Sequence, residues 1–176
     1  SDLDRGATIG SMLDVMAYRG PDDRNTADID QVTFGHLRLS IIDLANGKQP
    51  MVSPDGRYTL IFNGEIYNYV ELKQELVGKG HAISTSSDTE VLLHMYMEYG
   101  AEMLDQLNGM FALAIYDQQE KELFVARDHF GVKPFYFYQR EGVFVFASEI
   151  KSLLQFPGVK AEVDQKSLYE YLTFQM

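Results

Sequence analysis

The sequence predicts a layered α+β fold, and three observations carry that expectation. Apolar residues recur at helical spacing in some segments and alternate in others, so helices and strands are interleaved. Residues 110–147 are strongly β, in short runs broken by tight turns, which implies antiparallel hairpins. No repeat, low-complexity tract or linker interrupts the 176 residues, about the length of one domain.

Taken in order, the first ten residues are polar and show no alternation. Ile9, Met12, Leu13 and Met16 then predict a helix to about Tyr18, which YRGPDD breaks with Gly20 and Pro21. QVTFGHLRLSIIDL (31–44) reads as a strand, ANGKQPM as a loop, SPDG (53–56) as a turn and RYTLIF as the next strand. Asn68 with Glu71, and Ser87 with Glu90, have the spacing of capping boxes. The helices behind them run to about Gly78 and to Gly100. A short helix over 101–107 precedes the strand GMFALAIYD, in which Phe111, Leu113 and Ile115 alternate with smaller partners. QQEK turns the chain into ELFVARD, and REG joins FYFYQ to VFVFAS. These strands are apolar on both faces, so both faces are expected to be covered. EIKSLLQF and DQKSLYEYL close the chain as helices.

FNGEIYNY (62–69) raises the chemical question. Asn-Gly is the usual signal for a two-residue hairpin turn. The flanks argue against a plain turn, because IYNY leads into a helix cap rather than a returning strand. A glycine lets the backbone approach a ligand closely. An Asn NH₂ beside a Gly N–H offers two donors to one point, as an oxyanion hole for an amide or ester carbonyl requires. Arg38 lies among apolar residues, where arginine is rare unless paired; it is an arginine on an exposed strand face or in a structural ion pair, or else a fork for a carboxylate. Asp88 suits a first helical turn through the macrodipole alone, and with Glu65 it could instead hold an ammonium group. RDHFGVKPFYF reads as a structured connection with Arg127–Asp128 pairing. His36, His81, His94 and His129 are scattered without metal spacing and read as structural or solvated, so no metal site is expected. An arginine for a carboxylate, two acids for an ammonium and two donors for a carbonyl together describe an amino acid with a side-chain amide.

Composition excludes several other classes. The formal net charge is −11, which argues against nucleic-acid binding. No run of 18 apolar residues and no basic-then-apolar leader is present, so a cytoplasmic protein without membrane partners is expected. There is no cysteine in the sequence, hence no disulfide, thiolate zinc site or cysteine nucleophile within it.

YRGPDD, HLRLSIIDL, FNGEIYNY, SSDTEV, LNGMFALAIYD, RDHFGVKPFYF and FASEIKSLL, in that order and over nearly the whole chain, resemble the glutaminase domain of glutamine-hydrolysing asparagine synthetases, which are class II glutamine amidotransferases. The resemblance implies an N-terminal-nucleophile hydrolase fold, a four-layer αββα sandwich of two antiparallel sheets. It implies hydrolysis of glutamine to glutamate and ammonia, and transfer of the ammonia to a C-terminal synthetase domain that amidates aspartate. ATP and magnesium would belong to that domain, and no cofactor to this one. By the same resemblance Arg38 binds the glutamine α-carboxylate, with Leu39, Ser40, Ile41 and Ile42 lining the pocket. Asn63 and Gly64 form the oxyanion hole, and Glu65 and Asp88 meet the α-ammonium group.

One departure is decisive for activity. The family's nucleophile is an N-terminal Cys at the head of a short apolar strand, with its own α-amine as base. SDLDRGATIG supplies neither a Cys nor an alternating strand. Residues 1–176 are therefore expected to be an inactive fragment of a type 2 glutamine amidotransferase domain, lacking about ten residues ahead of Ser1 as well as the synthetase domain. A missing strand would leave a sheet edge exposed, open to dimerisation or a substitute strand. Two alternatives stand beside this reading: a nucleophile-free amino-acid-binding or interaction module, and a class II amidotransferase domain serving a different acceptor.

Overall fold

The computed structural model describes residues 3–39 and 47–174. Helix α1 (Arg5–Asp14) starts at Asp4, whose carboxylate accepts the Ala7 amide at 3.0 Å. It is thus one turn earlier than the apolar spacing predicts, and a 3₁₀ turn (Ala17–Arg19) covers the rest. Strands β1 (Asp23–Ile29) and β2 (Val32–Arg38) form an antiparallel hairpin. The sequence reading passes over β1, because DRNTADI is poor in β-formers; full pairing with β2 makes it a strand. Ser40, Ile41 and Ile42 lie outside the described residues.

Strands β3 (Met51–Val52), β4 (Tyr58–Ile66), β5 (Gly109–Asp117) and β6 (Glu122–Arg127) make a four-stranded antiparallel sheet in that order. Its regular alternation sends Leu60, Phe62, Ile66, Phe111, Leu113 and Ile115 into one core. Helices α2 (Tyr69–Gly78) and α3 (Asp88–Tyr99) cover that face through Leu72, Leu76, Val91, Leu92 and Met95. Helix α3 ends at Gly100, φ +56°, and a 3₁₀ helix (Gly100–Gln106) leads into β5.

The opposite face of the sheet carries Ile61, Ala114, Tyr116 and Val125, which meet Phe34 of β2 and Phe146. Phe146 belongs to a second hairpin, β7 (Tyr136–Arg140) with β8 (Val143–Ala147). Its ring stands edge-on to Phe34 at 6.3 Å between centroids. Helix α1 and the short α4 (Ile150–Leu153) lie outside this layer, joined by Met12, Ala147 and Leu153 and by Ser152 Oγ donating to the Met12 carbonyl at 3.0 Å. The order of layers is α, β, β, α, as predicted. The second β layer, however, is two separate hairpins, β1–β2 and β7–β8, with no ladder between them among the described residues.

Other local expectations are corrected. Among the described strands β5 alone is buried on both faces along most of its length; Tyr136, Phe137, Val143 and Phe144 are exposed, as is all of α5 (Gln165–Phe174). Asn68 precedes α2 but makes no cap bond with its side chain: Nδ2 donates to the Gln106 carbonyl and Oδ1 accepts the Asn108 amide, both at 2.9 Å. Ser87 does cap α3, accepting the Thr89 amide at 3.2 Å. Glu90 instead accepts from the amides and hydroxyls of Ser84 and Thr85. Arg127 and Asp128 do not pair. Arg127 donates to the carbonyls of Gly131 and Lys133, while Asp128 accepts the amides of Phe111, Val132 and Lys133. His81 and His94 are not isolated: their Nδ1 atoms are 2.9 Å apart, and His81 Nε2 is 3.0 Å from Glu98.

Backbone clearance yields a paired test. A Cβ on Gly109 would lie 2.3 Å from the Glu65 carbonyl oxygen, whereas one on Gly78 would meet nothing within 4 Å. Gly109→Ala is expected to destabilise the protein by about 1–3 kcal/mol or more through overpacking. Gly78→Ala is expected to stabilise it by about 0.5–1 kcal/mol through chain entropy. Urea midpoints that move in the same direction for both would contradict the close β4–β5 approach.

Candidate functional site

A cavity of about 370 Å³ lies between the two β layers, bounded by β2, β4, β5, β8, α1 and the start of α3. Its volume follows from side-chain size. Ala112 stands directly across from Asn63, and Ala114 from Ile61, so β5 is short of bulk on this face while Phe111 and Leu113 fill the other.

Asn63 and Gly64 do not form a turn or a loop. They lie inside β4, paired with Ala112 and Phe111. Long-range pairing with β5 overrides the local Asn-Gly preference. The strand's alternation points Asn63 and Glu65, like Ile61, toward the second layer, and both line the cavity. Gly64 is needed for a different reason from the one expected. A Cβ there would sit 2.2 Å from the Met110 carbonyl oxygen, so its bareness serves the neighbouring strand rather than a ligand.

The backbone of β4 completes the arrangement. Phe111 uses its N–H and C=O on Asp128, at 3.2 and 2.8 Å, so it faces β6. Its partner Gly64 is therefore in a non-hydrogen-bonded pair and turns its N–H outward, away from β5. Strand β3 pairs only with Thr59 and Leu60 and does not reach that far. Side chains serve the edge beyond it. Gln49 Oε1 accepts the Phe62 amide at 2.6 Å, His36 Nε2 is 3.3 Å from the Phe62 carbonyl oxygen, and Asp88 Oδ2 accepts the Ile66 amide at 3.1 Å. Between them, Gly64 N–H has no hydrogen-bond acceptor among the described residues.

Arg38 closes β2, is only 8% exposed and lines the same cavity, as does Leu39. Asp88 is 6% exposed at the start of α3. Burial raises its carboxyl above the ordinary 3.8, with the Glu65 charge adding; the Ile66 and Thr89 amides oppose. Burial likewise lowers His36, with the Arg38 charge in the same direction. Arg38, Asn63, Gly64, Glu65 and Asp88, chosen from sequence, thus meet at one cavity. Gln49 and His36 were not foreseen. Gln49 sits in a stretch that reads as loop, and His36 is one of four scattered histidines. No group of His, Asp and Glu among the described residues could hold a metal ion.

Comparison with known proteins defines the class. The family model for the glutamine amidotransferase domain matches residues 1–176, and the chain belongs to that family. It is 46% identical over 165 residues to asparagine synthetase [glutamine-hydrolyzing] 3 of Bacillus subtilis, covering 93% of this chain and 27% of that protein. Asparagine synthetase B [glutamine-hydrolyzing] of Escherichia coli is 41% identical over 141 residues, 80% of this chain and 25% of its own length. The chain therefore spans about a quarter of these relatives. Among solved structures, the glutamine phosphoribosylpyrophosphate amidotransferase of B. subtilis, complexed with ADP and GMP, superposes with a TM-score of 0.58 at 31% identity, over 69% of this chain and 28% of that one. The fold is that of the N-terminal-nucleophile amidotransferases.

Asp88 supplies a pH test. Its folded carboxyl binds a proton more tightly than the unfolded one. Its favourable contribution is present below the ordinary value of 3.8 and is lost as pH rises through the raised folded value. Asp88→Asn keeps an acceptor for the Ile66 amide and removes the buried charge. The variant is expected to have the higher urea midpoint at pH 7, with the gap closing as pH falls below about 4. A gap independent of pH would contradict a desolvated carboxylate.

Proposed function

We propose that the cavity binds glutamine and that the domain releases its amide nitrogen as ammonia. The reading is carried by one observation: in a chain of the glutamine amidotransferase family, a guanidinium, two carboxylates and an outward-facing amide beside an Asn share a single cavity. Arg38 takes the α-carboxylate, with Leu39 and residues 40–42 beside it, and Glu65 with Asp88 takes the α-ammonium. A positive ligand group relieves the mutual repulsion of that acid pair. Asn63 Nδ2 and Gly64 N–H receive the oxygen of the side-chain amide as it becomes an oxyanion.

The nucleophile is a cysteine thiolate from outside these 176 residues, which contain none. β2 and β8 both line the cavity and share no ladder among the described residues, and the short apolar strand that carries the cysteine is assigned to the space beside them. Thiolate attack forms a C–S bond at the amide carbon. The cysteine's α-amine takes the thiol proton as the bond forms and, as an α-ammonium group, returns it to the leaving nitrogen, so that collapse of the tetrahedral intermediate breaks the C–N bond and expels ammonia. Water then releases glutamate from the thioester. Without that cysteine, residues 1–176 bind glutamine without turnover. In the longer protein the ammonia passes to an ATP- and magnesium-dependent synthetase domain that amidates aspartate, in the cytoplasm. The lack of cysteine also supports a second reading, a binding module that never hydrolyses its ligand.

Two substitutions in the full-length protein separate the roles. Asn63→Ala is expected to lower kcat by about 10²–10³-fold, the usual effect of losing one oxyanion donor. Arg38→Ala is expected to raise KM for glutamine, because its contact is remote from the reacting carbon and alike in ground and transition states. Calorimetry of residues 1–176 with L-glutamine tests the pocket itself: binding without glutamate release supports the assignment, and no binding heat at millimolar glutamine counts against it.

A further inference from the structure

We propose that Gln49, with His36, is a positioning residue for glutamine hydrolysis: it holds the Phe62 peptide so that the next outward amide, Gly64 N–H, stays presented to the cavity. The inference rests on the proposed hydrolysis of glutamine and adds residues that act through the β4 backbone they contact. Phe62 offers an N–H, so the Gln49 side chain must face it with its oxygen, at 2.6 Å. The NH₂ group then points to Thr89 Oγ1, at a long 3.5 Å, beside the acid of α3. His36, from the other β layer, is within hydrogen-bond reach of the carbonyl oxygen of the same residue.

The use of side chains here has a geometric reason. A longer β3 would satisfy Phe62 and Ile66 by a backbone ladder, and that ladder would also take up Gly64 N–H. Separate side-chain acceptors on Phe62 and Ile66 can skip the amide between them. Gln49 is buried at 7% exposure, where an unpaired Phe62 N–H would find no water to replace it. Loss of the acceptor therefore shifts the strand edge, and a small misplacement of a catalytic donor is enough to slow the reaction.

The test is steady-state glutamine hydrolysis by the full-length protein. Gln49→Met keeps the shape and removes the acceptor; Gln49→Glu keeps the acceptor. Gln49→Met is expected to lower kcat by about 10–100-fold with KM within about threefold, and Gln49→Glu to regain most of the loss. A Gln49→Met kcat within twofold of wild type, or Gln49→Glu as slow as Gln49→Met, overturns the proposal. Should Gln49→Met fail to fold, His36→Leu removes the support on the carbonyl side and carries the same expectation and the same refutation. Wild-type protein that does not hydrolyse glutamine overturns the functional reading and this proposal together; active wild type with an unaffected Gln49→Met overturns this proposal alone.

Discussion

Strand β4 outruns its neighbour β3, and the cavity depends on how the bare edge is satisfied. A buried backbone amide without a partner carries a free-energy penalty, so an unfilled edge inside a protein has to be filled by something. Here the fillers come from three directions: a glutamine ahead of β3, a histidine from the opposite layer and an aspartate from the start of α3. Each ties β4 to a different part of the fold. The outward amide at Gly64, which has no acceptor among the described residues, is held by its covalent neighbours.

Asp88 shows how one residue can serve several levels at once. It begins α3, where the helix dipole favours an acid, and it accepts from the β4 edge, fixing helix against sheet. Its burial beside Glu65 makes the charged form unfavourable until a cation arrives. The strain is local and rests on rigid elements, with Leu92, Val91 and Met95 of the same helix packed in the main core. A pocket held on such elements would cost the proposed glutamine little binding energy for ordering.

The sequence was informative where chemistry is local and misleading where pairing is distant. Apolar period located α2, α3, β5 and β6. Arg38 and Asp88 were recognisable as charges in apolar or capping contexts. The pair Asn63–Gly64 does lie at the cavity, but within a strand rather than at a turn, since a turn signal cannot report that β5 runs alongside. The same holds for β1, whose polar residues reveal a strand only when set against β2. Gln49 had no local signal at all: its partner is thirteen residues away, and only the end of β3 explains why the amide of Phe62 needs it.

The division of the second β layer has a consequence for motion. Hairpin β7–β8 and α4 share no ladder with β1–β2 among the described residues; the edge contact of Phe146 with Phe34 joins the two hairpins, and the small Met12–Ala147–Leu153 cluster joins β8 and α4 to α1. Regions with few buried contacts open locally at a fraction of the global unfolding free energy. Amide protons of β7 and β8 should then exchange with solvent well ahead of those in β4 and β5. Swinging β7–β8 and α4 away would unroof the cavity while leaving Arg38, Asn63, Glu65 and Asp88 in place on other elements, so the proposed entry of glutamine need not displace them.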